Sequence, residues 1–136
     1  MNIIIREAKI IDPQSPFHNQ TVDLQIENGK IKKIGEKLPK SADFEEIKLD
    51  NLHISQGWFD SSVCLGEPGF EDRETIANGL QTAGKSGFTG IALQPNSYPI
   101  IDNQSQINFV KSKSNGFATQ LFPIGALTKE CLGNDM

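Results

Sequence analysis

The sequence predicts an α/β fold in two parts: a β-rich segment over residues 1–55, then a strand–helix–strand–helix–strand array over residues 56–136. Three observations carry this reading. Apolar and polar residues alternate in the first part, as at Val22, Leu24 and Ile26. Asn28-Gly29 sits between two such runs, the strongest short-range hairpin signal. After Gly57, short apolar runs alternate with segments whose apolar residues recur every three or four positions. That is the grammar of parallel strands joined by right-handed helical crossovers.

Ile3, Ile4 and Ile5 open the first strand, and Ala8, Ile10 and Ile11 follow. Val22–Ile26 reads as half-buried, with Ile31 and Ile34 in its hairpin partner. A two-residue type I′ turn needs positive φ at both central residues, which Asn and Gly tolerate. Glu45–Leu49 and Leu52–Ile54 add two short strands. Trp58–Leu65 is the next strand. Glu71, Asp72, Arg73 and Glu74 then open a helix, because carboxylates complement the dipole at a helix N-terminus. Ile76, Ala77, Leu80, Ala83 and Gly84 form its inner stripe, and Gly87 stops it. Phe88–Leu93 is a buried strand broken by Pro95-Asn96. Asp102 caps a second helix carrying Ile107, Phe109 and Val110, which ends at Asn115-Gly116. Phe117–Leu127 is the last strand, interrupted by Pro123 and Gly125.

Seventeen acidic residues against thirteen basic ones give a net charge of −4, which removes any electrostatic case for nucleic acid or an acidic membrane surface. No apolar run approaches the ~18 residues of a membrane span. The opening Met-Asn-Ile-Ile-Ile-Arg lacks the form of a signal peptide, so a cytoplasmic location is the default. Cys64 and Cys131 make neither a disulfide framework nor a CxxC pattern. His18 and His53 stand far in sequence from other ligand types and read as surface or packing residues.

Chemistry concentrates in Gln56–Gly69, QGWFDSSVCLGEPG. Residues i and i+2 of a strand share a face, so Ser62 and Cys64 do. Two histidines at that spacing can hold one zinc at about 2.0–2.1 Å, whereas a serine hydroxyl is a poor ligand and one thiolate is far from a site. Cys64 reads as a small buried strand residue and Ser62 as a small polar residue at the strand's C-terminal end. The segment resembles the PGFIDxHVHLREPG signature of the dihydroorotases, in the amidohydrolase superfamily. Gly57, Asp60, Val63, Leu65, Glu67, Pro68 and Gly69 match that frame. Ser62, Cys64 and Gly66 stand where the family has two zinc-binding histidines and a substrate-gripping arginine. LGEPGFEDRETIANGLQTAGKSGFTGIALQPNSYPIID resembles the family's LREPGxExKETIxSGxxAAxxGGFTxVxxMPNTxPxxD, and GALTKE its third-strand segment. IIIREAKIIDP and DLQIENGKIKKIG resemble the N-terminal part of the β-sandwich that flanks class I barrels.

The resemblance implies that residues 1–55 are part of a small β-sandwich and that residues 56–136 hold the first three strands of an incomplete (β/α)8 TIM-type barrel. A whole barrel takes about 250 residues, so the chain reads as a fragment; a complete small α/β domain is the competing reading. The implied activity is hydrolysis of dihydroorotate, or the reverse cyclisation of carbamoyl-aspartate, in pyrimidine biosynthesis. In the family a zinc-bound hydroxide attacks the ring amide, with further ligands and a proton-shuttling aspartate outside these residues. Asn96, in Pro95-Asn96-Ser97, matches the asparagine that helps hold the substrate carboxylate; read locally it is a turn residue, and both readings stand. Asp60 reads as structural, and Glu67 matches the frame without an assigned role. Three replacements within five residues, all at the chemistry, imply a pseudoenzyme: no zinc at Ser62 or Cys64, no cofactor, no turnover. By family analogy the partner is an aspartate carbamoyltransferase held in an assembly. The alternatives are an active zinc enzyme with Cys64 as a divergent ligand, and a small-molecule binder that keeps Asn96. A truncated barrel has unpaired sheet edges. It is also expected to leave Trp58, Val63, Leu65, Ile91, Leu93 and Leu121 exposed or semi-exposed, so the fragment is expected to self-associate.

Overall fold

The structure is a computed structural model that describes residues 2–39 and 42–135. It divides into two compact units, Met1–Gln56 and Gly57–Met136.

The first unit is a five-stranded sheet built around β1 (Asn2–Ile11). β2 (Thr21–Glu27) runs antiparallel to β1, and β3 (Lys30–Gly35) antiparallel to β2. β4 (Glu45–Lys48) pairs parallel with Ile3–Arg6, and β5 (His53–Ser55) parallel with Lys9–Ile11. A bulge between Ile5 and Ala8, with Glu7 at φ 50, divides these two pairings. Ala8, Ile10, Val22 and Leu24 form the core. Asn28 and Gly29 have φ of 50 and 74 and join β2 to β3 where Glu27 pairs Lys30, so the hairpin turn takes the form its residues dictate.

β2 departs from a half-buried strand, because Asp23 and Gln25 on its second face are buried as well. For Asp23 the reason is its set of partners. Its carboxylate accepts from Arg6 Nη1 at 2.7 Å, the Glu7 N–H at 3.0 Å and the Leu38 N–H at 3.0 Å. A buried charge is tolerated where it is paired and hydrogen-bonded.

The second unit is a parallel sheet in the order β6 (Trp58–Val63), β7 (Phe88–Leu93), β8 (Gln120–Pro123). α1 (Ile76–Lys85) links the first pair and α2 (Gln104–Lys113) the second. A short 3-10 turn covers Lys129–Cys131. Leu65, Ile76, Leu80, Ile91, Leu93, Ile101, Val110 and Leu121 make one buried cluster. This corrects the expected facing: Leu65, Ile91, Leu93 and Leu121 are at most 7% exposed. Ile91 and Leu93 point at the core shared with the helices, so the alternate residues carry the open face. There Phe59 and Phe122 meet edge to face at 5.7 Å across Gly90, where a Cβ would lie 2.8 Å from one ring and 3.1 Å from the other. Phe59, Phe122 and Trp58 are exposed, Trp58 as expected.

The helix starts lie later than the sequence suggests. Thr75 is the N-cap of α1, so Glu71–Glu74 precede the helix. Asn103, not Asp102, caps α2, through a capping box with Gln106; the Asp102 carboxylate accepts from the Glu130 N–H at 3.0 Å instead. Phe109 lies exposed on α2 with the Lys113 ammonium 5.5 Å from its ring centre. β8 is confined to four residues: Phe117 packs on the core ahead of it, and Pro123, which has no N–H to donate, closes it.

Candidate functional site

The parallel register of β6 and β7 pairs Val63 with Leu93, and the Gln94 N–H bonds the Val63 carbonyl at 2.9 Å. This brings residues 62–64 beside residues 94–96 where the strands end. Gln94 Nε2 donates to Ser62 Oγ at 3.3 Å, and Asn96 Nδ2 donates to Cys64 Sγ at 3.1 Å. Asp60 Oδ1 accepts from the Ser62 N–H at 3.0 Å, a side-chain turn that fixes the strand's exit. Ser62, Cys64, Gln94 and Asn96 thus form one polar cluster of two cross-strand pairs.

Cys64 is exposed, not buried as its sequence context suggests, because its neighbours Val63 and Leu65 are the ones that pack on the core. A cavity of about 380 Å³ opens beside it, lined from β6, α1 and β7 by Asp60, Val63, Leu65, Ala83 and Phe88 among others. Asn96 is exposed, and one N–H of its amide is directed at Cys64. Gln94 carries no mark in the sequence reading. Its signal is the two-residue spacing to Asn96, the same spacing that relates Ser62 to Cys64.

The cluster does not fit zinc. Zinc takes cysteine, histidine and carboxylate ligands, and the four side chains here offer a hydroxyl, one thiol and two carboxamides. Among the described residues no group of three or more His, Cys, Asp or Glu is placed to hold a metal ion. His18 and His53 lie in the first unit. His18 Nδ1 accepts from the Asp12 N–H at 3.1 Å, and His53 Nδ1 sits 2.8 Å from the Asn51 carbonyl.

The loop that leaves β6 is firmly tied. Glu67 is buried; one carboxylate oxygen accepts from the Ile76 N–H at 3.0 Å, and the other meets Lys113 Nζ at 3.1 Å. One side chain nine residues ahead of α1 therefore anchors its N-terminus and joins it to the last turn of α2.

No family model matches the chain. The dihydroorotase of Geotalea daltonii is 34% identical over 137 residues, which is 100% of this chain and 32% of that protein. The dihydroorotase of Trichlorobacter lovleyi is 35% identical over 136 residues, 98% of this chain and 32% of that protein. The solved L-hydantoinase (dihydropyrimidinase) of Arthrobacter aurescens superposes with a TM-score of 0.78 at 15% identity, over 93% of this chain and 28% of that one, a likeness of fold. The mixed α/β fold is therefore one that the chain shares with part of that hydantoinase. In sequence the chain is similar to these dihydroorotases over nearly all of its own length, as its EPG and PN segments suggest. It spans about a third of the length of the curated relatives it matches. Among the described residues no helix is long and apolar enough to cross a membrane.

Proposed function

We propose that this chain is the N-terminal part of a dihydroorotase-like protein that is itself non-catalytic, with residues 1–55 in a small β-sandwich and residues 56–136 forming the first three strands of a (β/α)8 barrel. The observation that carries the reading is the cluster at the ends of β6 and β7. Ser62 is paired with Gln94 and Cys64 with Asn96, and none of the four is a histidine or a carboxylate. A cyclic-amide hydrolase of this kind draws its nucleophile from a metal-bound water of lowered pKa, and these residues offer such a metal one thiol. Asn96 keeps the position that contacts substrate in the family and directs one amide N–H at Cys64. A scaffold role for an aspartate carbamoyltransferase in the cytoplasm follows by analogy with non-catalytic members of the family.

Purified protein is expected to hold no stoichiometric zinc and to show no zinc-dependent turnover of dihydroorotate. Elemental analysis and an assay of the longest natural form decide this. Zinc that is lost on Cys64→Ala, together with turnover, would establish the active, divergent-site reading instead. Stabilisation by orotate without turnover would establish a binder.

The open face of β6–β8 supports a second expectation. A parallel sheet is ordinarily covered on both faces, and here Phe59, Phe122 and Ile124 are 58%, 42% and 38% exposed. The 136-residue chain is expected to self-associate. Sedimentation would show mass above the monomer, reduced by Phe59→Ser; a cooperatively folding monomer at high concentration would defeat the partial-barrel reading.

A further inference from the structure

The position in this loop that looks emptied is filled. A Cβ built on Gly66 would lie 2.0 Å from the Phe70 carbonyl oxygen and 2.8 Å from that of Glu74. Both obstacles are main chain, so no side-chain rotation relieves them. The Phe70 carbonyl is also pinned. The Phe70 N–H donates to the Gly66 carbonyl at 2.8 Å, and the Arg73 N–H donates to the Phe70 carbonyl at 3.0 Å. The Arg73 guanidinium lies 4.4 Å from the centre of the Phe70 ring.

The far side of the turn cannot yield either. Gly69 has φ 97, and a Cβ there would lie 2.1 Å from the Tyr98 carbonyl oxygen. The Tyr98 N–H donates to the Pro68 carbonyl at 2.9 Å, locking the loop after β6 against the loop after β7.

We infer that Gly66 is a specificity-determining residue: the turn it opens seals position 66 with backbone, so no side chain from there can reach a ligand at the Ser62–Asn96 cluster. The site is thereby closed to recognition of a carboxylate by a residue-66 cation, and restoring an arginine does not restore a clamp. The functional meaning rests on the non-catalytic reading; the steric closure stands apart from it.

Two measurements on the 136-residue chain test the closure. Hydrogen exchange of the wild type is expected to show the Phe70 amide strongly protected; exchange at the unfolded-peptide rate would overturn the inference. Gly66→Ala is expected to lower the melting temperature by on the order of 10 °C, as overpacking against fixed atoms does in a small unit. Ser61→Ala, at an exposed position outside the cluster, is the control and should melt with the wild type. A Gly66→Ala chain that fails to fold while Ser61→Ala folds supports the closure. A Gly66→Ala chain that melts with the wild type overturns it. Zinc-dependent turnover would sink the non-catalytic reading and leave both of these results untouched.

Discussion

Glu67→Ala is expected to destabilise the second unit by about 3 kcal/mol, the loss of a hydrogen bond to a charged acceptor plus that of a partly buried ion pair. Glu67 is 7% exposed, and its two oxygens do different work. One satisfies the Ile76 N–H, one of the four amides that a helix start leaves without partners. Thr75 caps another, that of Asn78, so the remaining capacity is thin. The other oxygen meets Lys113, which is half exposed, so most of the effect belongs to the helix end and little to the pair. Glu67→Gln keeps an acceptor for Ile76 and is expected to lose less, and Lys113→Met less again, about 0.5 kcal/mol. Urea unfolding followed by circular dichroism ranks the three. Equal losses for Lys113→Met and Glu67→Ala would place the effect in the ion pair and refute this account.

That anchor also explains why α1 starts later than its local sequence suggests. Acidic residues at 71–74 are a sound local signal for a helix N-terminus, yet the carboxylate that bonds the first helical amide comes from Glu67, across a loop that the sequence does not show folding back. Asp102 lost its capping role to Asn103, whose side chain accepts from the Ser105 and Gln106 N–H groups, while the Asp102 carboxylate is turned to the Glu130 N–H. By contrast the Asn28-Gly29 hairpin and the strand Phe88–Leu93 were legible, because turn chemistry and a short apolar run act within a few residues. The facing of β6–β8 was not. Buried parallel strands read as continuous apolar runs without alternation, so nothing local distinguishes Ile91 from Phe59.

The site was half legible. Ser62 and Cys64 are readable from two-residue strand spacing alone. Their partners Gln94 and Asn96 require the register of β6 against β7, which depends on the whole crossover through α1. The exposure of Cys64 depends on Val63 and Leu65 being the residues that face the core, a facing that spacing cannot fix. The closure at Gly66 is invisible in sequence, where a glycine in place of a large side chain reads as empty space.

Asp23→Asn is expected to destabilise the first unit by about 2 kcal/mol at pH 7, the scale of charge-assisted hydrogen bonds lost or weakened. The deficit should shrink in acid. Burial pushes the Asp23 carboxyl up, but the Glu7 N–H, the Arg6 guanidinium and the Leu38 N–H outweigh it and hold the pKa below the ordinary carboxylate value. An unfolded aspartate titrates near ~3.9. The folded carboxylate therefore contributes its full stabilisation above that pH and loses it as pH falls through the lower folded value. The wild type should weaken below about pH 4, while the asparagine variant, which does not titrate there, should not share that loss. Hydrogen exchange at the Glu7 and Leu38 amides, both bonded to Asp23, reports on this site directly. A gap between wild type and variant that stays constant from neutral pH into acid would show that the carboxylate's charge contributes nothing and that Asp23 serves only as a neutral acceptor.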